Sequence, residues 1–485
     1  MEQNLTLKTA HVVDILGNVV GRDQQIMTLE RACNLVSLLD SHHLIDEDVV
    51  FFDPFCKAGE ILLACAFLSC WNRNKQSDGP LQLEDIKDEL YESGRYFGLS
   101  PDERHHRLSL RTFLGNTNSH SDKYSQIIRN GNYLSEIDGR LDEIKFKQEF
   151  YNMLDYINSG SKPKKIIAVG NPPYQESDGG FGKSAKSIYN FFVESLIDSK
   201  IIGEFILVIP ARWFGAGKGL DEFRENMINS GKIKNLKYFK NSSDIFPTVD
   251  INGGICFIHY AKDYKGFTTF SDEKYQIKLN LNEFDIITDD PNGYNIVRKI
   301  LRQWDGQYIG SIAWSRKPFG LATNYFNKHN EGDLCDTDFI PCLTRNKVIK
   351  YVNKSIITKN LKKIEEWKVA IPAVAGGSKG NRRSTIPINQ IFLIPSGTIC
   401  TETYSIINTY PNKAEAENLI NYLKTDFARY LLGLRKITQH IPKDRWNWVP
   451  YVDVSRKWTD DDLFALFQLT PDEQTHIKKR VAEWS

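Results

Sequence analysis

The sequence predicts an α/β protein with an open, doubly wound sheet, followed by a second domain of mixed α+β structure. Three observations predict it. Short β-branched and aromatic runs alternate with helix-like stretches through about residue 265, as in a parallel-rich sheet whose connections are helices. A domain boundary is expected between about 262 and 300, where turn-forming residues gather, Asp289-Asp290-Pro291-Asn292-Gly293 among them. Beyond them the alternation is lost: strand-like Ile391-Phe392-Leu393-Ile394 and Ile399-Cys400-Thr401 mix with a helix from Ala414 to Leu434. The domains are therefore expected at 1–265 and 266–485.

The first unit of the sheet is Val49-Val50-Phe51-Phe52, a turn over Asp53-Pro54-Phe55-Cys56-Lys57-Ala58-Gly59-Glu60, and a helix from Ile61 to Trp71. Tyr96-Phe97-Gly98-Leu99 is a second strand, and a third unit ends near Gly131-Asn132-Tyr133-Leu134. The apolar run Ile166-Ile167-Ala168-Val169-Gly170 precedes a helix from Ala185 to Asp198, with Ile188, Phe191, Phe192, Ser195 and Leu196 at helical spacing. Phe205 to Ile209 is a further buried strand, Leu220 to Ile228 a helix, and Gly253 to Ile258 a late strand, antiparallel at an edge.

Composition narrows the function classes. The chain has 485 residues and a net charge of +1, so a nucleic-acid surface must be local rather than global. Its eight cysteines are scattered, with no C-x-x-C pair, which argues against a disulfide framework and a zinc site and for reduced thiols. The adjacent pairs His42-His43 and His105-His106 suit no common metal site. Lone charges such as Arg31 and Arg73 carry no functional signal. Neither a signal peptide nor an apolar run of membrane-spanning length is visible, so a cytoplasmic protein without membrane contact is expected.

The most informative segment is Asn171-Pro172-Pro173-Tyr174, at the expected end of a buried strand. Open α/β sheets place their chemistry there. An exocyclic amine on a base is a poor nucleophile because its lone pair is delocalised into the ring. An Asn carboxamide oxygen and a proline carbonyl both accept from such an amine, and a neighbouring Tyr offers a face for stacking. The turn over Asp53 to Gly59, ending at a helix N-terminus, suits a ligand approached closely by backbone N–H groups.

Gly170-Asn171-Pro172-Pro173-Tyr174-Gln175 resembles motif IV of amino-directed methyltransferases, and Asp53 to Gly59 resembles their cofactor motif I. Ile206 to Phe214, Gly217 to Arg224, Ile245-Phe246-Pro247 with Gly253 to Cys256, Lys317 to Leu321, Tyr422 to Phe427, Arg435 to Gln439 and Trp458 to Asp460 extend the likeness. Together they resemble a gamma-class DNA adenine-N6 methyltransferase of restriction-modification type. That resemblance implies a Rossmann-like methyltransferase sheet over 1–265, a target-recognition domain over 266–485, S-adenosylmethionine as cofactor, and double-stranded DNA as substrate. A separate restriction or defence subunit is a further implied partner.

Carried over residue by residue, Asn171, Pro172, Pro173 and Tyr174 would hold a flipped adenine, with Phe246 as the second aromatic against it. Asp53, Pro54, Phe55, Lys57 and Gly59 would line the cofactor pocket, with Thr28 in the N-terminal cofactor motif. Four positions depart from the pattern: Leu29 follows Thr28 where the family usually has Pro, Lys57 replaces a glycine, Ser100 stands where an acid normally binds ribose, with Asp102 nearby, and Asn132 replaces an Asp. Basic residues gather in the second half, and Arg345, Lys347, Lys379, Arg382, Arg383, Arg435 and Lys436 are the expected DNA contacts. Two alternatives stay open: a protein or RNA amino-methyltransferase, and a DNA-binding subunit whose methyltransferase domain is weak or depends on a partner.

Overall fold

The computed structural model describes residues 26–74, 81–114, 127–135, 139–160, 164–176, 186–215, 217, 219–246, 251, 253–329, 338–375, 385–436 and 440–484. The chain divides into two compact units, Met1–Ile287 and Thr288–Ser485.

Unit 1 is built on a nine-stranded sheet of order β3-β2-β1-β4-β5-β7-β6-β8-β9. Its strands are β1 Val49–Asp53, β2 Tyr96–Ser100, β3 Ile128–Asn130, β4 Lys165–Gly170, β5 Ile202–Pro210, β6 Ile233–Phe239, β7 Ile255–Ala261, β8 Thr268–Ser271 and β9 Gln276–Leu279. β3, β2, β1, β4 and β5 run parallel. β1 is buried along its whole length and β4 at all but its first residue, as continuous apolar strands covered on both faces must be. Among the described residues the helices of this unit are α1 Leu29–Val36, α2 Ser41–Ile45, α3 Glu60–Asn74, α4 Leu83–Glu92, α5 Glu103–Leu114, α6 Glu143–Ile157, α7 Tyr189–Asp198 and α8 Asp221–Asn229.

Two expectations are corrected. β7 is antiparallel, but it lies between β5 and β6 rather than at an edge. The division at 287/288 falls inside the interval of 262 to 300 expected for it, but the nominal cut at 265/266 would detach β8 and β9, which continue the sheet from β6. Both are four-residue strands with no helix between them, so the sheet outlasts the alternation used to trace it.

Unit 2 contains two three-stranded sheets, β11-β10-β14 and β13-β12-β15. These strands are β10 Phe339–Leu343, β11 Ile349–Asn353, β12 Trp367–Pro372, β13 Phe392–Ile394, β14 Ile399–Cys400 and β15 Tyr404–Tyr410. Phe319, Cys342, Val352, Ile364, Ala370, Ile399, Tyr404 and Ile406 belong to one buried cluster. The remaining helices are α9 Pro291–Gln303, α10 Ile309–Ile312, α11 Lys413–Leu423, α12 Asp426–Arg435, α13 Asp460–Leu466 and α14 Pro471–Trp484. The single helix expected from Ala414 to Leu434 is thus two. Thr425 accepts from the Ala428 amide and starts α12 as its N-cap.

Candidate functional site

The strand order reverses between β1 and β4, because β2 and β3 lie on one side and β5 on the other. A ligand crevice forms beyond the strand ends at such a point. Asp53 closes β1 and Asn171 follows β4 directly. Gly170 lets the two approach: a Cβ there would stand 2.8 Å from Asp53 Oδ1 and 2.8 Å from Phe55 Cδ2.

The turn after β1 is fixed from several directions. Asp53 Oδ1 accepts from the Phe55 amide at 2.9 Å, the Cys56 amide donates to the Leu99 carbonyl at 3.0 Å, and the Tyr133 hydroxyl donates to the Pro54 carbonyl at 2.7 Å. Gly59, at φ 80°, turns the chain into α3. The Met27 amide donates to Glu60 Oε1 at 3.3 Å, which joins the N-terminal segment to this turn. Thr28 is next to that contact, and its hydroxyl caps α1 by accepting from the Arg31 amide at 3.4 Å.

Asp53, Lys57 and Glu60 are all buried. Burial pushes the Asp53 carboxyl well above the usual carboxylate range; the Phe55 amide and Lys57 oppose that shift and Glu60 adds to it. Lys57 does not reach solvent. Its Nζ lies 5.9 Å from the centre of the Tyr174 ring, so the turn and the Asn-Pro-Pro-Tyr segment meet through this side chain.

Asn171, Pro172, Pro173 and Tyr174 are buried, and the segment leaves the strand through paired Tyr174–Ile188 and Glu176–Lys186 backbones. The Tyr174 hydroxyl donates to the Val208 carbonyl of β5 at 3.4 Å. Phe246 is fully buried, follows a 3-10 turn at Ser242–Asp244, and meets Tyr174 edge to face at 6.4 Å and 65°. The structure therefore brings Asp53, Lys57, Asn171, Tyr174 and Phe246 together at the sheet's carboxyl edge. Arg31, in which the sequence shows no signal, also belongs here: its Nη1 donates to the Ile245 carbonyl at 2.8 Å and so holds the residue before Phe246.

The other cofactor candidates lie differently. Ser100 is buried at the end of β2, 3.2 Å from the Ser109 hydroxyl. Asp102 accepts from the His105 amide at 2.8 Å and pairs with His105 Nδ1 at 2.6 Å. Burial works against its charge, but these bonds outweigh it and hold the carboxyl below its ordinary value. Asn132 is exposed at φ 43° beside an open cavity of about 710 Å³.

A buried carboxyl, an ammonium and a turn at a helix N-terminus are groups of the kind that fit the amino-acid end of S-adenosylmethionine. At the ribose end Asp102 is already engaged by His105. Asp40, His42 and His43 bring ligand atoms within 4.8 Å of one another. Asp40 is, however, paired with Lys234 at 2.5 Å, and His43 with Glu204 at 3.2 Å.

In unit 2, Arg345 and Lys347 are exposed at the turn between β10 and β11. Lys379, Arg382 and Arg383 lie outside the described residues. The expectation of surface positions for Arg435 and Lys436 is corrected, because both are 2% exposed. Arg435 stacks 4.7 Å from the Trp448 ring centre and donates to the Asp444 carbonyl at 3.0 Å. Trp446 and Trp448 are core residues.

Residues 73–246 match the model of the Eco57I restriction-modification methylase family. The matched span contains Asn171 to Tyr174 and Phe246, but neither the Asp53–Gly59 turn nor unit 2. A Mycoplasma pneumoniae protein described as an "uncharacterized adenine-specific methylase" is 33% identical over 122 residues, which cover 24% of this chain and 28% of that protein. Among solved structures, the Type IIL restriction-modification enzyme MmeI bound to DNA is similar with a TM-score of 0.44 at 11% identity, over 100% of this chain and 75% of that one. The Type ISP enzyme LlaGI with a DNA substrate mimic has a TM-score of 0.46 at 11% identity, over 86% and 45%. Among the described residues no helix is long and apolar enough to cross a membrane.

Proposed function

We propose that this chain transfers the methyl group of S-adenosylmethionine to the N6 amino group of an adenine flipped out of duplex DNA, in a restriction-modification or phage-defence setting. The observation that carries the reading is the position of Asn171-Pro172-Pro173-Tyr174 at the end of β4, beside the Asp53 turn at the sheet's switch point. The family match over 73–246 and the relative described as an adenine-specific methylase support it.

In this reading the cofactor supplies an electrophilic methyl group. The Asn171 carboxamide oxygen and the Pro172 carbonyl accept from the adenine amine and draw its lone pair out of conjugation. Tyr174 and Phe246 hold the base by ring contact. Arg31 positions Phe246 through the Ile245 carbonyl. Asp53 and Lys57 would hold the amino and carboxylate groups of the cofactor's methionine part, and Thr28 would border that pocket. Unit 2 serves target recognition, with Arg345, Lys347 and the Lys379, Arg382 and Arg383 loop as phosphate contacts. A cytoplasmic location and a separate nuclease subunit accompany this setting.

The test is sequencing of modified bases in DNA from cells expressing the native chain or Asn171→Ala. N6-methyladenine at a defined motif is expected with the native chain. The variant, which loses an acceptor that matters as charge develops on N6, should lose methyl transfer by about 100-fold or more while DNA binding persists. Near-native turnover by purified Asn171→Ala would sink the mechanism.

A further inference from the structure

Unit 2 carries an open cavity of about 940 Å³ that involves none of the candidate methyl-transfer residues. Trp314, Arg316, Lys317, Arg345, Glu402 and Lys443 are part of its lining. Glu402 pairs with Arg316 at 3.1 Å, and Lys317, Arg345 and Lys443 are exposed around the cavity. The rim is thus basic in a chain whose net charge is only +1.

Next to this rim projects the hairpin of β10 and β11, paired antiparallel from Phe339↔Asn353 to Leu343↔Ile349. Its turn has the form in which both central residues are left-handed: Asn346 and Lys347 each have φ 61°. Asn adopts this conformation readily, whereas Lys does so at a cost that surrounding contacts must offset. Tyr404 provides them. Its buried hydroxyl accepts from the Lys347 amide at 3.0 Å and donates to the Thr344 carbonyl at 3.1 Å. Lys347 Nζ sits 4.4 Å from the centre of the Phe392 ring. A solvated turn needs no such pin. This one holds five consecutive exposed residues, Arg345 to Ile349, in a fixed shape. Two of them, Val348 and Ile349, are apolar and 50% and 53% exposed.

We infer that the hairpin tip from Arg345 to Ile349 is the element with which unit 2 reads duplex DNA, and that Asn346 is its base-reading residue. The inference rests on the methylation reading above. A two-stranded ribbon fits the major groove, where a carboxamide makes a bidentate pair with adenine N7 and N6. Val348 and Ile349 suit the thymine methyl that every adjacent A·T pair presents to the same groove. Arg345 of the tip, with Lys317 and Lys443 of the same cavity lining, offers cations to phosphates, which orient a duplex without reading it. The pinned turn lowers the ordering cost of inserting the tip.

The test uses the full-length chain. Asn346→Gly keeps the left-handed backbone and removes the carboxamide, so folding is expected to persist and is checked by circular dichroism. Modified-base sequencing and binding to duplexes that differ at single positions are compared with the native chain. Asn346→Gly should lower the preference for one A·T pair of the motif by about 10-fold or more, without changing the salt dependence of binding. Tyr404→Phe, which loosens the pin, should relax the same position. Arg345→Ala should instead weaken binding at every sequence and reduce the salt slope by about one. An unchanged motif and unchanged discrimination in Asn346→Gly, with the native chain modifying DNA, overturns the assignment of Asn346. A native chain that modifies no DNA overturns the methylation reading, and this inference with it.

Discussion

Lys57 stands in a turn that the resembling family keeps free of long side chains, and the structure buries it between Asp53 and Tyr174. An ammonium in that position is suited to the carboxylate of the cofactor's methionine part. Lys57→Met keeps most of the volume and removes the charge, so calorimetric titration should show S-adenosylmethionine bound about 10- to 100-fold more weakly, the range for a hydrogen bond to a charged group. Unchanged affinity would mean that the ammonium never meets the cofactor. The places of Asn171 to Tyr174 and Asp53 to Gly59 at the ends of buried strands were legible because strand, turn and helix follow one another in the chain. Arg31 on Ile245, Met27 on Glu60 and Tyr133 on Pro54 were not. Each joins segments far apart in sequence, through a side chain or amide whose type says nothing about its partner. Arg435 and Lys436 failed for the opposite reason, since a basic pair reads the same in sequence whether it faces solvent or stacks on a buried Trp448.

At the scale of elements, β1 and β4 approach more closely at their carboxyl ends than any larger residue at position 170 permits. Gly170→Ala forces the Asp53 carboxylate or the buried Phe55 ring to move. Urea unfolding should report a loss of about 1–3 kcal/mol, as for overpacked sites. Gly203→Ala, on β5 with open space around its added carbon, is the control expected to be near neutral. The opposite end of the sheet is braced by Glu204 of β5, which bonds His259 of β7 at 2.7 Å, Lys165 of β4 at 3.1 Å and His43 of α2 at 3.2 Å. Burial opposes its charge, but His259 and the other partners hold the carboxyl down at about 2. His43 is itself pushed toward its neutral form by burial, against Glu204, so its share is a hydrogen bond more than an ion pair. A carboxyl lowered on folding stabilises fully above its unfolded value near 4.5, and that stability drains as pH falls toward about 2. Glu204→Gln should therefore cost about 3 kcal/mol at pH 7 and progressively less below about pH 4. Equal losses at pH 7 and pH 3 would remove the charge from the account.

For the molecule as a whole, alternation revealed the parallel half of the sheet, β1 to β5, because each strand there is separated from the next by a helix. The turn residues bracketed the end of unit 1 between about 262 and 300, but the cut at 265 fell too early, since β8 and β9 pair as a hairpin that carries no helix signal. Phe270 of β8 is fully buried and lies 6.4 Å from Phe214. A fragment of residues 1–287 should unfold cooperatively and remain monomeric by light scattering. A fragment cut after residue 265 loses that packing, exposes the edge of β6 and should aggregate. Equal solubility and equal midpoints for the two fragments would show β8 and β9 to be dispensable. The β10–β11 turn has a consequence of a different kind. Its five exposed side chains lie outside the buried cluster that Cys342, Val352 and Tyr404 help to form. Substitutions at the tip therefore spare the core, provided that the positions of Asn346 and Lys347 keep residues that tolerate left-handed backbone. Under that condition a lineage can exchange these side chains one at a time and leave the buried cluster beneath them in place, so an old scaffold can acquire a new target at the tip alone.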